Sequence, residues 1–467
     1  MGKNSKLKFL KLIILTIILF FSNSCNNEVS NSDFFLGGEI INPSSSYVNF
    51  YFNNIKIDSI QLDSDNKFFK KIQNIQPGIY RIEHLPENQN IIIENGDSLW
   101  VRVNVEDFKE SITFTGKGSS KNNFLVDMSI LDDSETEFIS EIYAEDRNIF
   151  KNAIDSLIKE KNYIWNLFNN SSKHKNLAKN ITKASIKYNY FNKLERYALL
   201  RGKDWNEDQR NEYFNYRKDI NLNDTDLSLF EPYVTYLMNY FNEKTLDSGK
   251  VYFYEKNNTD FNIKKLLIID SQISDPYLKN NLARATAIEE ILNFKNNNFH
   301  EKFIDYFTYV NSSKIYLNEI IKLYEDIGRM QEGNQLPEID ILNYNGNIIS
   351  STDEFIGNKT FIYFWSQTQM NHYRRTIRRI EALKQEFPDY RFVGICIQPY
   401  TDMVSQAQNI LNLDLSNQFS FRDFESSSKD WVLTFLNKTI VIDEKVNILD
   451  AFSNLFSNDI RKILTSN

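Results

Sequence analysis

Only two cysteines, Cys25 and Cys396, occur in 467 residues, so a disulfide framework is excluded as the source of stability. Histidine numbers four, and His84, His174, His300 and His372 lie far apart without the spacing of a metal motif. No metal and no cofactor is therefore expected. Proline (8) and glycine (14) are scarce while Asn, Ile, Lys, Phe and Tyr abound, the residue bias of an AT-rich genome. An excess of positive charge is also missing. The net charge of −8 argues against a nucleic-acid binder. Beyond residue 25 no apolar run is long enough to cross a bilayer. What is present is apolar material, 41% hydrophobic and 14% aromatic, enough for more than one core.

The N-terminus has a different texture. Lys3, Lys6, Lys8 and Lys11 precede the apolar run LIILTIILFF at 12–21, then SNSC ends at Cys25. This resembles a bacterial lipoprotein signal, with Ser22 where leucine is commonest. The resemblance implies that Cys25 carries the lipid and that the mature chain is anchored to a membrane of the cell envelope, on its periplasmic side or at the outer membrane. Residues 26–32, NNEVSNS, read as a tether. With Cys25 lipidated, Cys396 is the one remaining thiol.

Three textures follow, and a multidomain chain is expected. At 33–118, short runs rich in Val, Ile, Tyr and Phe alternate with the turn signals Asp65-Asn66, Pro77-Gly78 and Asn95-Gly96-Asp97. In LWVRVNV, alternation sets Leu99, Val101, Val103 and Val105 on one face. A β-sandwich of six to eight strands is predicted. From 119 to 332 the apolar period becomes helical, as in Phe150, Ile154, Leu157, Ile164 and Phe168. Asp275-Pro276 reads as a helix start, and Gly328 as a C-cap. The third region, 333–467, alternates strands and helices: strand 360–365, helix 371–387, strand 391–397, helix 402–411, then strands 438–443 and 446–452. An α/β unit with a mixed sheet is expected.

Leu336-Pro337, Phe364-Trp365 and Ile442-Asp443 stand where the thioredoxin-like fold of TlpA/AhpC-type disulfide oxidoreductases has comparable residues. The order of the last 135 positions resembles that family. The segments IQPGIYRIE and IIIENGDSLWV resemble the β-sandwich and helical extension found ahead of such domains in envelope lipoproteins of Bacteroidetes. The resemblance implies a thioredoxin-like C-terminal domain.

The family's chemistry is not carried over. Its members have Trp-Cys-x-x-Cys, and the register set by Phe364-Trp365 places Gln369 at the nucleophilic cysteine and His372 at the resolving one. Neither side chain can attack or resolve a disulfide. The family's cis-proline position holds Asn437 or Lys438, where a cis bond would cost about 3 kcal/mol, so a trans loop is expected. His372 as a general base lacks an evident partner, and a helix-start histidine is the plainer reading. Cys396, inside FVGICI, reads as a buried, inert thiol. Arg374, Arg375, Arg378 and Arg379 form a cationic stripe that could receive an acidic partner, or a solvated face balanced by Glu381, Glu386 and Asp389. Exposed polar groups are expected at Gln367, Gln369 and Asn371. The expected role is binding or assembly with an envelope protein. Thiol–disulfide exchange is the alternative that fold similarity suggests, and hydrolysis or isomerisation centred on His372 has no supporting constellation.

Overall fold

The computed structural model describes residues 33–466, apart from 54, 172, 247–258, 293–299, 368 and 399–413. The signal segment with Cys25, the tether and the helix expected at 402–411 lie outside the described residues.

Alternation in the first region produces eight strands in two four-stranded sheets. One sheet has the order β4 (Lys67–Ile72), β1 (Phe34–Ile41), β7 (Ser98–Asn104), β8 (Thr113–Lys117), with β1 parallel to β7. The other runs β3 (Ile55–Gln61), β2 (Tyr47–Phe52), β5 (Gly78–His84), β6 (Glu87–Ile93). Leu99, Val101, Val103 and Val105 are all buried, and they meet Phe34, Phe50, Ile82 and Ile91 in the shared core. Each such side chain contributes about 1.5–3 kcal/mol on full burial.

The sequence GKGSSKNN fixes the helix Ser119–Ser134 to this sandwich. Gly118 precedes it in a left-handed conformation (φ +96°) that a side chain would strain. Two successive asparagines then close the edge strands, one in each sheet. Asn122 accepts from Ile92 N (2.7 Å) and donates to Ile92 O (3.1 Å) on β6. Asn123 does the same at Phe114 on β8, at 2.8 and 2.9 Å. Between them the helix satisfies backbone groups that an open edge would expose. Lys121, 3% exposed, reaches Glu94 Oε2 and Asp97 Oδ2, both at 2.6 Å.

Helices continue to Arg329. Phe150 and Ile154 of Arg147–Ser171 pack on Tyr190, Leu194 and Tyr197 of Asn176–Arg201. The Asp275 side chain accepts from Leu278 N at 2.7 Å, capping Pro276–Leu292 as expected. Gly328 is not a cap. The helix Lys314–Arg329 runs through it, because Gly328 stays out of the left-handed region, and Met330 is the C-cap.

The last region forms a seven-stranded mixed sheet in the order β10 (Ile348–Ser350), β9 (Asp340–Leu342), β13 (Gln418–Phe421), β12 (Arg391–Cys396), β11 (Thr360–Trp365), β14 (Thr439–Ile442), β15 (Ile448–Asp450). β11, β12 and β13 are parallel, while β14 and β15 run antiparallel on the other side of β11. All six residues of β11 are buried. Phe361, Tyr363 and Trp365 pack under the helix Met370–Glu386 through Tyr373, Ile377, Ile380 and Leu383. Ile362 and Phe364 join Val393, Ile395 and Trp431 on the opposite face. A strand–helix–strand unit beside an antiparallel pair and a final helix, Asp459–Ser466, is the thioredoxin-like arrangement.

Candidate functional site

Parallel pairing of β11 and β12 brings their C-terminal ends, Trp365 and Cys396, side by side, and the loop to the helix leaves from there. Trp365 is fully buried and lies against the ring of Tyr373 (centroids 4.0 Å, 20°), which fixes the first turn of the helix to the strand. Gln369 N donates to Ser366 O (3.2 Å), closing the turn, and Gln369 becomes the exposed N-cap. Its side chain makes no capping bond.

His372 sits in the first helical turn. Its Nε2 lies 2.6 Å from Asn437 Oδ1. With the amide oxygen accepting, Nε2 carries the proton. Two positions 65 residues apart, which the family resemblance assigns to the resolving thiol and the cis-proline, thus touch each other. Among the described residues the Leu85–Pro86 bond is the only cis peptide, so the backbone around Asn437 is trans. Next to it, Lys438 is 1% exposed and donates to the carbonyls of Trp431 (2.7 Å) and Val432 (2.9 Å), with Nζ 4.4 Å from the Phe452 ring centroid. Burial lowers its pKa to about 7, against the opposing pull of Asp450. It holds its own loop rather than facing a substrate.

Cys396 is fully buried. Its Sγ lies 3.4 Å from Gln398 Oε1, and burial pushes its pKa up to about 12, so it stays a thiol at any ordinary pH. Gln398 is a residue that sequence reasoning missed. Its oxygen also accepts from Gln367 N (3.2 Å), and its Nε2 donates to Ser366 Oγ (2.7 Å). This amide pins the loop from below. Gln367 is accordingly buried, at 7% exposure, and not the exposed polar group the sequence suggests.

The four arginines divide. Arg379 donates to the carbonyls of Leu455 (3.3 Å) and Ser457 (3.5 Å), and Arg375 lies over the ring of Phe456 (5.4 Å). Those two hold the segment before the last helix. Arg374, Arg375 and Arg378 are exposed, and Arg379 is half-buried. Of the carboxylates expected to balance the stripe, Glu381 pairs with Lys384 (2.9 Å) and Glu386 with Arg461 (2.7 Å), while the charge of Arg379 also acts on Glu386 and helps hold its carboxyl below the usual range.

His84 and His174 are apart from this site. His84 is buried in the sandwich, where Ser44 N donates to its Nε2 (3.0 Å) and Tyr47 O faces its Nδ1 (3.0 Å). Burial lowers its pKa to about 4. His174 stacks on Phe168. Among the described residues no group of three or more His, Cys, Asp or Glu could hold a metal ion, and no helix is long and apolar enough to cross a membrane.

No protein-family model matches the chain, and no curated protein does. Solved structures do show likeness over parts of it. A Bacteroides vulgatus protein assigned as a thiol-disulfide oxidoreductase is 20% identical over 30% of this chain and 97% of its own, with a TM-score of 0.27. A thiol-disulfide oxidoreductase from Bacteroides fragilis is 14% identical over 28% of this chain and 99% of its own, TM-score 0.23. The pneumococcal exposed lipoprotein thioredoxin Etrx1, from Streptococcus pneumoniae, is 12% identical over 28% and 100%, TM-score 0.23. At such scores the fold assignment stands on the strand order described above.

Proposed function

We propose that this chain is a membrane-anchored lipoprotein of the cell envelope whose thioredoxin-like unit has lost thiol chemistry and serves in binding or assembly. The His372–Asn437 hydrogen bond carries the reading, because it fills with a polar contact the place where the redox chemistry needs a sulfur and a cis-proline. The buried Cys396 supports it: a thiol held fully protonated offers no nucleophile. The exposed Arg374 and Arg378, on the helix that begins after the exposed N-cap Gln369, are the surface on which an acidic protein partner would be received.

The chain from Asn26 onwards should reduce a protein disulfide no faster than buffer, with or without Cys396→Ser. A rate abolished by that substitution would make the protein an oxidoreductase through its one thiol. Binding and anchoring are read in a second experiment, cross-linking in intact cells followed by membrane fractionation. Cys25→Ser should move the protein off the membrane or block its processing. Arg374→Glu with Arg378→Glu should leave it anchored but lower the yield of its cross-linked partner severalfold. Unchanged yields would remove the arginine surface from the proposal.

A further inference from the structure

The outer face of the sheet β4–β1–β7–β8 takes no part in the site above. Its side chains lie in cross-strand rows, and the central row is Phe69, Gly37, Trp100. Phe69 is 55% and Trp100 46% exposed. Because Gly37 has no side chain, the two rings approach across it to 5.8 Å at 18°, and Phe35 extends the group at 6.2 Å from Phe69. A Cβ at Gly37 would stand 2.8 Å from Trp100 Cζ3, so one edge of the indole rests on the strand while nearly half of the residue faces solvent. Isolated exposed apolar residues need no explanation, but three aromatic rings gathered on one sheet face do.

The flanking rows are charged. Lys67 and Arg102 lie on one side of the aromatic row, Lys71 and Lys117 on the other. Against them stand Glu39, 3.3 Å from Arg102, and Asp33, 2.7 Å from Lys71. The face is thus cationic in a chain of net charge −8. It is also the face nearest in sequence to the apolar run at 12–21, since β1, inside this sheet, begins nine residues after Cys25. Such a span reaches about 30 Å at full extension.

We propose that this sheet face seats on an anionic lipid surface, with the aromatic row at the level of the headgroups and the flanking cations on their phosphates. Tryptophan is favoured at that depth, and each cation near an anionic leaflet adds to the attraction. The proposal rests on the anchored-lipoprotein reading for its biological setting but is tested without the anchor, so either can fail alone.

The chain from Asn26 onwards is mixed with vesicles of phosphatidylglycerol and phosphatidylcholine, or of phosphatidylcholine alone, and floated on a gradient. It should rise with the anionic vesicles only, with a blue shift in emission from Trp100, the most exposed tryptophan among the described residues. Lys67→Glu with Lys71→Glu should weaken binding by roughly tenfold or more. Phe69→Ser with Trp100→Ser should do the same, with the circular dichroism of the fold unchanged. Should the aromatic variant not fold, the lysine variant decides the matter. No flotation of the unaltered chain, or equal flotation of the folded variants, would overturn the proposal. A Trp100 shift accompanied by dimers without lipid would overturn it too and assign the face to a second copy of the chain.

Discussion

Lys121→Met should destabilise the protein by about 3–5 kcal/mol, the cost of leaving a buried charge without its partner. The lysine, 3% exposed, is paired with both Glu94 (6%) and Asp97 (5%), which lie in the ENGD turn between β6 and β7. Asp97 cannot swing away, because its Oδ2 also accepts from Glu94 N at 2.8 Å and its carboxylate lies where a Cβ on Gly118 would be. Methionine fills much the same volume but brings no charge, so both carboxylates would be left buried without their cation. Adding Glu94→Gln and Asp97→Asn should recover a large part of the loss. Urea denaturation of the three proteins reads this directly. A drop below about 1 kcal/mol for the single variant would mean that the triad is open to water.

Gln369→Cys with His372→Cys should create a reactive thiol pair where there is none. Position 369 is the exposed N-cap of a 17-residue helix, where the peptide dipoles favour a thiolate. The thiol introduced there should react with an alkylating probe roughly tenfold faster than free cysteine near neutral pH, reflecting a pKa lowered by one to two units. Oxidation should link it to the thiol introduced at 372, one turn on. Cys396, being fully buried, serves as the internal unreactive control. If the pair neither reacts nor bridges, the register drawn from Phe364-Trp365 is wrong, and the vestigial assignment of Gln369 and His372 falls with it.

How far the sequence could be read depended on how local each signal was. β7, β11 and β12 are legible because alternation or an unbroken apolar run lies within six or seven residues. β8 buries only Phe114 along its length, and β9 and β13 are three and four residues that find each other across 70 or more positions. Nothing local marks them. Gly328 looked like a stop because glycine often is one, yet here the helix simply continues. His372 and Asn437 could be singled out only through a family pattern, and their contact belongs to the tertiary fold. Gln398 gave no signal, since an amide after a strand has no meaning until parallel pairing puts it beneath Ser366 and Gln367.

The placement of β1 has a mechanical consequence. Its residues pair in register with six of β4 on one side and seven of β7 on the other. A pull on Asp33 along the strand therefore loads both rows of hydrogen bonds in shear, all at once, instead of peeling them one by one. With the anchoring proposed above, drag on the folded body would be carried first by its most extensively paired strand. The helices and the seven-stranded sheet would be spared that load.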